Sequence, residues 1–119
     1  MELIELNNAI ESKIKILEKM RTEIKSRAEQ KANTISEYDK QLAITIIKLK
    51  NNNIKEWEGE EIVNLPATLI EKIAKGICSQ SRNNMEIADG MYKSVISNID
   101  SVQAELNGYQ SINRHLSVK

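Results

Sequence analysis

The feature that most constrains this chain is a repeat of apolar side chains at every third or fourth position up to Leu49. Its average spacing is about 3.5 residues, the period at which an α-helix presents one continuous apolar edge to a partner helix. At about 1.5 Å per residue such a helix is roughly 70 Å long, so a second helix must cover its edge. The repeat comprises Leu3, Leu6, Ile10, Ile14, Leu17, Met20, Ile24, Ala28, Ala32, Ile35, Tyr38, Leu42, Ile46 and Leu49.

A second repeat near the end of the sequence alternates strictly between steps of three and four residues. It predicts a helix from about Arg82 to Ser117, with Ser79 or Ser81 as a candidate N-cap. We expect this helix to pair with the first one. The repeat comprises Met85, Ala88, Tyr92, Val95, Ile99, Val102, Leu106, Tyr109, Asn113 and Leu116.

Between the two repeats lie a connector at residues 51–65 and a short amphipathic helix predicted for residues 66–77. Pro66 falls in the first turn of this helix and Gly76 near its end, where each residue is favoured. The first helix is predicted over about residues 2–50. An alternative makes ITIIKL, residues 44–49, a β-strand that pairs with IKEW, but the repeat continues in phase through this stretch and favours a helix.

The sequence therefore predicts one all-α domain over residues 1–119. Its architecture is a long antiparallel helical hairpin or coiled-coil bundle, with a short middle helix and an irregular connector or short β-hairpin. The helix predicted from about Arg82 to Ser117 would be roughly 55 Å long, which is shorter than the first helix. We therefore expect Leu3–Leu17 to lack cover within the chain and the protein to form a dimer or a larger assembly.

A stripe of small residues follows the outer side of the third helix, where a coiled coil usually carries charged residues. Glycine disfavours a helix by about 1 kcal/mol relative to alanine, so its presence here needs a reason. Two interpretations remain open: a second helix packs closely on the stripe, or the stripe is a solvated serine-rich face. The small-residue stripe comprises Gly90, Ser94, Ser97, Ser101, Ala104, Gly108 and Ser111.

Charge and composition argue against several classes of function. The chain has 17 basic and 17 acidic residues, so its net charge indicates weak nucleic-acid binding or none. A basic band lies on the first helix, but glutamates interrupt it and no aromatic residue lies within it for base stacking. No segment resembles a membrane span or a signal peptide, which indicates a soluble cytoplasmic protein. The band comprises Lys13, Lys15, Lys19, Arg21, Lys25, Arg27 and Lys31.

Signatures of catalysis are missing from the sequence. Cys78 and His115 are the only cysteine and histidine, so a zinc site within one chain is not expected. Cys78 fits a small buried residue, and His115 fits a position near a helix end where it faces the helix dipole. No phosphate-binding glycine loop and no carboxylate pair on a rigid frame can be identified. We predict a protein that is not an enzyme and needs no cofactor or metal.

The connector contains the best candidate for a binding site. Trp57 is the only tryptophan and lies among Glu56, Glu58, Glu60 and Glu61. A large amphipathic side chain within an acidic patch is typical of a binding hot spot that faces a basic partner. In the alternative interpretation, Trp57 folds back over the short helix as a lid on the core.

Three segments, YDKQLAITIIKLK, LPATLIEKIAKGIC and AELNGYQSINRHL, resemble parts of small, largely uncharacterised helical proteins of bacteriophages and prophages of Gram-positive bacteria. The connector departs from their pattern, because it reads NNNIKEWEG where such chains favour a plain Asn-Gly turn. The resemblance implies a phage product made inside the bacterial cell. It also implies a role in DNA metabolism or in blocking a host factor such as a defence nuclease.

Together these features predict stoichiometric binding to another protein, with inhibition of a bacterial host factor as the leading function. The alternatives are an accessory nucleic-acid-binding protein in phage DNA metabolism and an assembly scaffold.

Overall fold

The structure is a computed structural model that describes residues 2–117. Its elements are α1 (Leu3–Lys50), β1 (Glu56–Trp57), β2 (Glu60–Glu61), α2 (Ala67–Ile77) and α3 (Ser79–Ser117). The all-α fold class is confirmed: the two long helices pack together, and the short helix lies between them in the sequence. Residues 44–49 are helical, so the alternative that made them a strand is wrong.

The chain forms two compact units, and both long helices contribute to each of them. The first unit contains α1 up to Ala28 and α3 from Gly90. Within it the helices run antiparallel, since Lys13 pairs with Glu105 and Arg27 contacts Met91. Leu6, Leu17, Val95 and Leu106 are buried and form its apolar interior.

The second unit, Glu29–Asp89, contains the remainder of α1, the connector, α2 and the start of α3. Its core consists of the buried Leu49, Ile62, Ile70 and Ala74. Seven half-buried apolar side chains pack against this core: Leu42, Ile46, Ile54, Trp57, Leu65, Ile73 and Ile77. The connector thus contributes side chains to the core from both sides of its turn, namely Ile54 and Trp57 before it and Ile62 and Leu65 after it.

The buried edge of α1 differs from the apolar repeat in the middle of the helix. Ala28 and Ala32 are exposed, whereas Arg27, Lys31 and Thr34 are half-buried. The alanine series and the polar series both follow steps of three and four. Burial of an alanine removes so little apolar surface from water that it does not determine which series faces the partner helix. The long stems of Arg27 and Lys31 can cover apolar surface while their charged ends find partners. The polar series therefore faces inward here.

The end of α1 explains the run of three asparagines. The Asn53 N–H donates to the Lys48 carbonyl (2.8 Å) and the Asn52 N–H to the Leu49 carbonyl (3.2 Å), the bonding pattern of a Schellman cap. Asn52 has a φ of 54°, in the left-handed region that asparagine tolerates better than most residues. The asparagines therefore end the helix and turn the chain into the connector.

A single residue, Cys78, separates α2 from α3. Its N–H donates to the Ala74 carbonyl (3.0 Å), and its carbonyl accepts from the Arg82 N–H (3.1 Å). Both helices therefore use the backbone of Cys78 for their terminal bonds. As a result α3 begins at Ser79, three residues before the position expected from the sequence, and Ser79 and Ser81 lie inside the helix.

Candidate functional site

The connector folds into a β-hairpin, residues 55–62, which we call the acidic hairpin. Glu56 lies opposite Glu61 and Trp57 opposite Glu60, and the Ile62 N–H donates to the Lys55 carbonyl (3.0 Å). The two turn residues, Glu58 and Gly59, have φ values of 52° and 78°. Positive φ at both positions is the geometry of a type I′ turn, whose twist matches that of paired strands.

Trp57 lies on α2 in the arrangement of a lid. Its side chain is half-buried and packs against the core of the second unit. The six-membered part of the indole approaches Gly76 so closely that a Cβ there would be 2.5 Å from Cη2. The side chain remains partly exposed, and Trp57 lies opposite Glu60 in the hairpin.

The base of the connector is closed by a pair of asparagines. The Asn52 Nδ2 donates to the Asn64 Oδ1 (3.1 Å), and the Asn64 N–H donates to the Asn52 Oδ1 (2.9 Å). Asn64, like Asn52, has a left-handed backbone, with a φ of 53°. This asparagine clasp, together with the buried Ile62, anchors both arms of the acidic hairpin.

The four predicted acidic residues, Glu56, Glu58, Glu60 and Glu61, are all exposed on the hairpin. The register places Glu56 and Glu61 directly opposite each other, and like charges at such positions repel. A cation that lies between them would relieve this repulsion. Lys55, Glu56, Gly59, Glu61 and Val63 line a shallow depression on the hairpin.

The small-residue stripe is exposed along its whole length. A Cβ added at Gly90 or at Gly108 would meet no atom within 4 Å. Within the described residues no helix of the same chain packs closely on the stripe. A helix that does so would have to come from another molecule.

The basic band is partly neutralised by neighbouring side chains. Lys13 pairs with Glu105 (2.5 Å), and this hydrogen bond raises the pKa of the Lys13 ammonium. Lys31 pairs with Asp89 (3.0 Å), and Arg27 lies 3.7 Å from Glu23 within α1. These three members of the band therefore have acidic partners, which weakens its attraction for phosphates.

Leu6 and Leu17 are almost completely buried, at 0% and 5% exposure. The expectation that Leu3–Leu17 lack cover within the chain is therefore wrong for these two leucines. Both leucines belong to the first unit, where α3 from Gly90 onward lies beside α1, as the Lys13–Glu105 pair shows. Leu3 and Ile14 are nevertheless exposed.

Cys78 is buried, and its Sγ lies 3.4 Å from the hydroxyl of Thr45, which is buried as well. His115 is exposed on α3. Across residues 2–117 no group of three histidine, cysteine or acidic side chains is arranged to hold a metal ion. None of the helices in that range is apolar over a stretch long enough to cross a bilayer.

Two features of this site were not predicted from the sequence. The first is the role of Gly76 beneath the indole, and the second is the pairing of Asn52 with Asn64. A glycine in the last turn of an amphipathic helix was a signal for the first, although it was assigned to helix termination. Two asparagines that flank a loop gave no comparable signal, because asparagine is common in turns of every kind.

Comparison with known proteins identifies no relative that carries this arrangement. No family model matches the chain, and no curated protein or solved structure is significantly similar to it.

Proposed function

We propose that the protein acts by stoichiometric binding to another protein, without catalysis, and that the acidic hairpin is its binding surface. The observation that supports this proposal is the combination of Trp57, held on α2 with part of its side chain exposed, and four exposed glutamates on the same hairpin. A rigid aromatic anchor contributes contact area at low entropic cost, and carboxylates select a basic surface. The partner is accordingly a protein with a cationic patch.

The resemblance to phage proteins extends this proposal to a bacterial host factor. Nucleases that bind DNA carry basic surfaces, so a defence nuclease fits the charge of the acidic hairpin. An accessory role on nucleic acid has less support, because Lys13, Arg27 and Lys31 are engaged with acidic side chains.

A charge-reversal experiment tests the binding surface. Glu58→Lys combined with Glu60→Lys should weaken binding to a short arginine-rich peptide at least about tenfold, or roughly 1.4 kcal/mol. The matched control is Glu18→Lys with Glu29→Lys, which makes the same change in net charge at exposed positions of α1 and should leave the affinity unchanged. Equal losses in both pairs would show a general charge effect and contradict the proposal.

Trp57→Ala tests the anchor. Removal of a half-buried tryptophan from the core should lower the free energy of unfolding by about 2–3 kcal/mol. Binding is therefore measured well below the melting temperature, where the variant is still folded. As a hot spot Trp57 should account for about 2 kcal/mol of affinity, close to thirtyfold. A destabilised variant with unchanged affinity would show that Trp57 is only a lid.

The same charge variants then identify the natural partner. Capture from bacterial lysate with the parent protein should retain a host protein that is lost with the Glu58 and Glu60 reversal and kept with the Glu18 and Glu29 reversal. Inhibition would be established if the parent and the Glu18 and Glu29 control inhibit a nuclease and the Glu58 and Glu60 reversal does not. A captured protein that is indifferent to both pairs would show that binding occurs elsewhere.

Self-association for assembly is a second candidate, favoured by exposed apolar side chains in the first unit. Leu3 and Ile4 in the first turn of α1 are 51% and 73% exposed, and Ile112 and Leu116 near the end of α3 are also exposed. The antiparallel helices bring these residues to the same end of the unit. Sedimentation should show a dimer that Ile4→Lys and Ile112→Lys dissociate. A monomeric parent at high micromolar concentration would exclude this candidate.

A further inference from the structure

Gly76 is the point at which the acidic hairpin rests on α2. A Cβ at this position would lie 2.5 Å from Cη2, 3.0 Å from Cζ2 and 3.4 Å from Cζ3 of Trp57. Carbon atoms in ordinary contact are about 3.5–4.0 Å apart. The indole can therefore take its observed position only because residue 76 has no side chain.

The other glycines of the described residues do not share this environment. Gly90 and Gly108 also lie in a helix, yet a Cβ at either would meet nothing within 4 Å. Gly59 occupies the hairpin turn, where its positive φ accounts for it. Gly76 therefore differs from the other helical glycines, because the absence of its side chain leaves room for the indole of Trp57.

The backbone that carries the indole has little freedom to move if a side chain is added at position 76. Trp57 belongs to β1 and is paired with Glu60 on β2. The asparagine clasp of Asn52 and Asn64 closes the base of the connector, and Ile62 is buried at the end of the hairpin. A methyl group at position 76 must therefore either rotate the ring away from α2 or shift the hairpin as a whole.

We propose that Gly76 is a positioning residue for the acidic hairpin: it seats the indole and so holds the four glutamates in one orientation before a partner binds. This inference rests on the proposed function, in which the hairpin binds a basic protein surface. A surface that is already ordered loses less conformational entropy on binding than a mobile loop. Loss of the seat should therefore weaken binding although the glutamates themselves are unchanged.

Gly76→Ala tests whether Gly76 allows the indole to pack on α2. Fluorescence reports on this contact, because Trp57 is the only tryptophan of the chain. The variant should shift the emission of Trp57 to longer wavelength and increase its quenching by acrylamide, while circular dichroism keeps the helical signal. Gly108→Ala is the matched control. It should leave the emission unchanged and raise the melting temperature by about 4 °C through helix propensity.

A double variant separates a collision with the indole from a general effect of alanine in α2. In a Trp57→Leu background the ring is absent, so addition of Gly76→Ala should raise the melting temperature as Gly108→Ala does. In the parent background the same substitution should fail to raise it. A rise of the same size in both backgrounds, with unchanged emission in the parent, would overturn the inference.

Binding to the arginine-rich peptide then distinguishes this inference from the proposed function. We expect Gly76→Ala to lower the affinity at least about fivefold, with Gly108→Ala unchanged. If Gly76→Ala frees the indole but keeps full affinity while the Glu58 and Glu60 reversal loses it, positioning by Gly76 is refuted and the proposed function stands. If the parent does not bind the peptide, the proposed function fails and positioning for binding fails with it, while the emission still decides whether Gly76 is the seat.

Discussion

Substitution of Asn52 tests how the connector is held, because this residue has two separable roles. Its backbone, with a φ of 54°, ends α1 through the bonds from Asn52 and Asn53 to the carbonyls of Leu49 and Lys48. Its side chain forms the clasp with Asn64 through bonds of 3.1 Å and 2.9 Å. Alanine should disrupt both roles, whereas glycine should disrupt only the clasp.

The magnitudes follow from these two roles. An alanine in the left-handed region costs about 1 kcal/mol or more because its Cβ crowds the backbone. Each hydrogen bond of the clasp is exposed and should contribute about 0.5 kcal/mol, the low end for such bonds. Asn52→Ala should therefore lower the free energy of unfolding by about 2 kcal/mol in total. Asn52→Gly should lower it by about 1 kcal/mol or less, since glycine adopts this φ without strain.

Urea denaturation measures the difference between the two variants. With a slope of about 2 kcal/mol per molar, the alanine variant should unfold at a urea concentration about 0.5 M below the glycine variant. Asn53→Ala is the control, because only the backbone N–H of that exposed residue takes part in the cap. It should stay within about 0.5 kcal/mol of the parent. Equal losses for alanine and glycine at position 52 would refute the account of the backbone.

Three further predictions concern other positions. Glu58→Asn should raise the free energy of unfolding by about 1 kcal/mol in urea melts, because Asn-Gly suits a type I′ turn whose first φ is 52°; a loss of stability would contradict the turn assignment. Ser101→Glu should leave the melting temperature of a dilute single chain unchanged, since Ser101 is exposed, and should weaken any dimer on sedimentation; an unchanged dimer would exclude the small-residue stripe as a contact. Cys78 is buried, so a thiol reagent should label it at least about tenfold more slowly in the native protein than in urea, and equal rates would show that the junction of α2 and α3 opens freely.

The sequence by itself determined the helices and their pairing. The strict repeat from Met85 to Leu116 contains the residues that α3 turns inward, with Ala88, Val95 and Leu106 buried. Such a repeat identifies one edge of a helix without knowledge of the partner, because the period belongs to the helix itself. The connector was also located, since asparagine, glycine and proline cluster there.

The tertiary structure decided which of two equivalent edges α1 buries and where the connector lies. Near Ala28 and Ala32 the local pattern allows two series of positions, and only α3 determines that Arg27 and Lys31 face inward. The residues of the candidate site were predicted from the sequence, but their contacts were not. The contact of Trp57 with Gly76 and the clasp of Asn52 with Asn64 join residues that are distant along the chain. Periodicity and turn chemistry describe neighbouring positions, whereas such contacts form only when the whole core packs and its shape selects them.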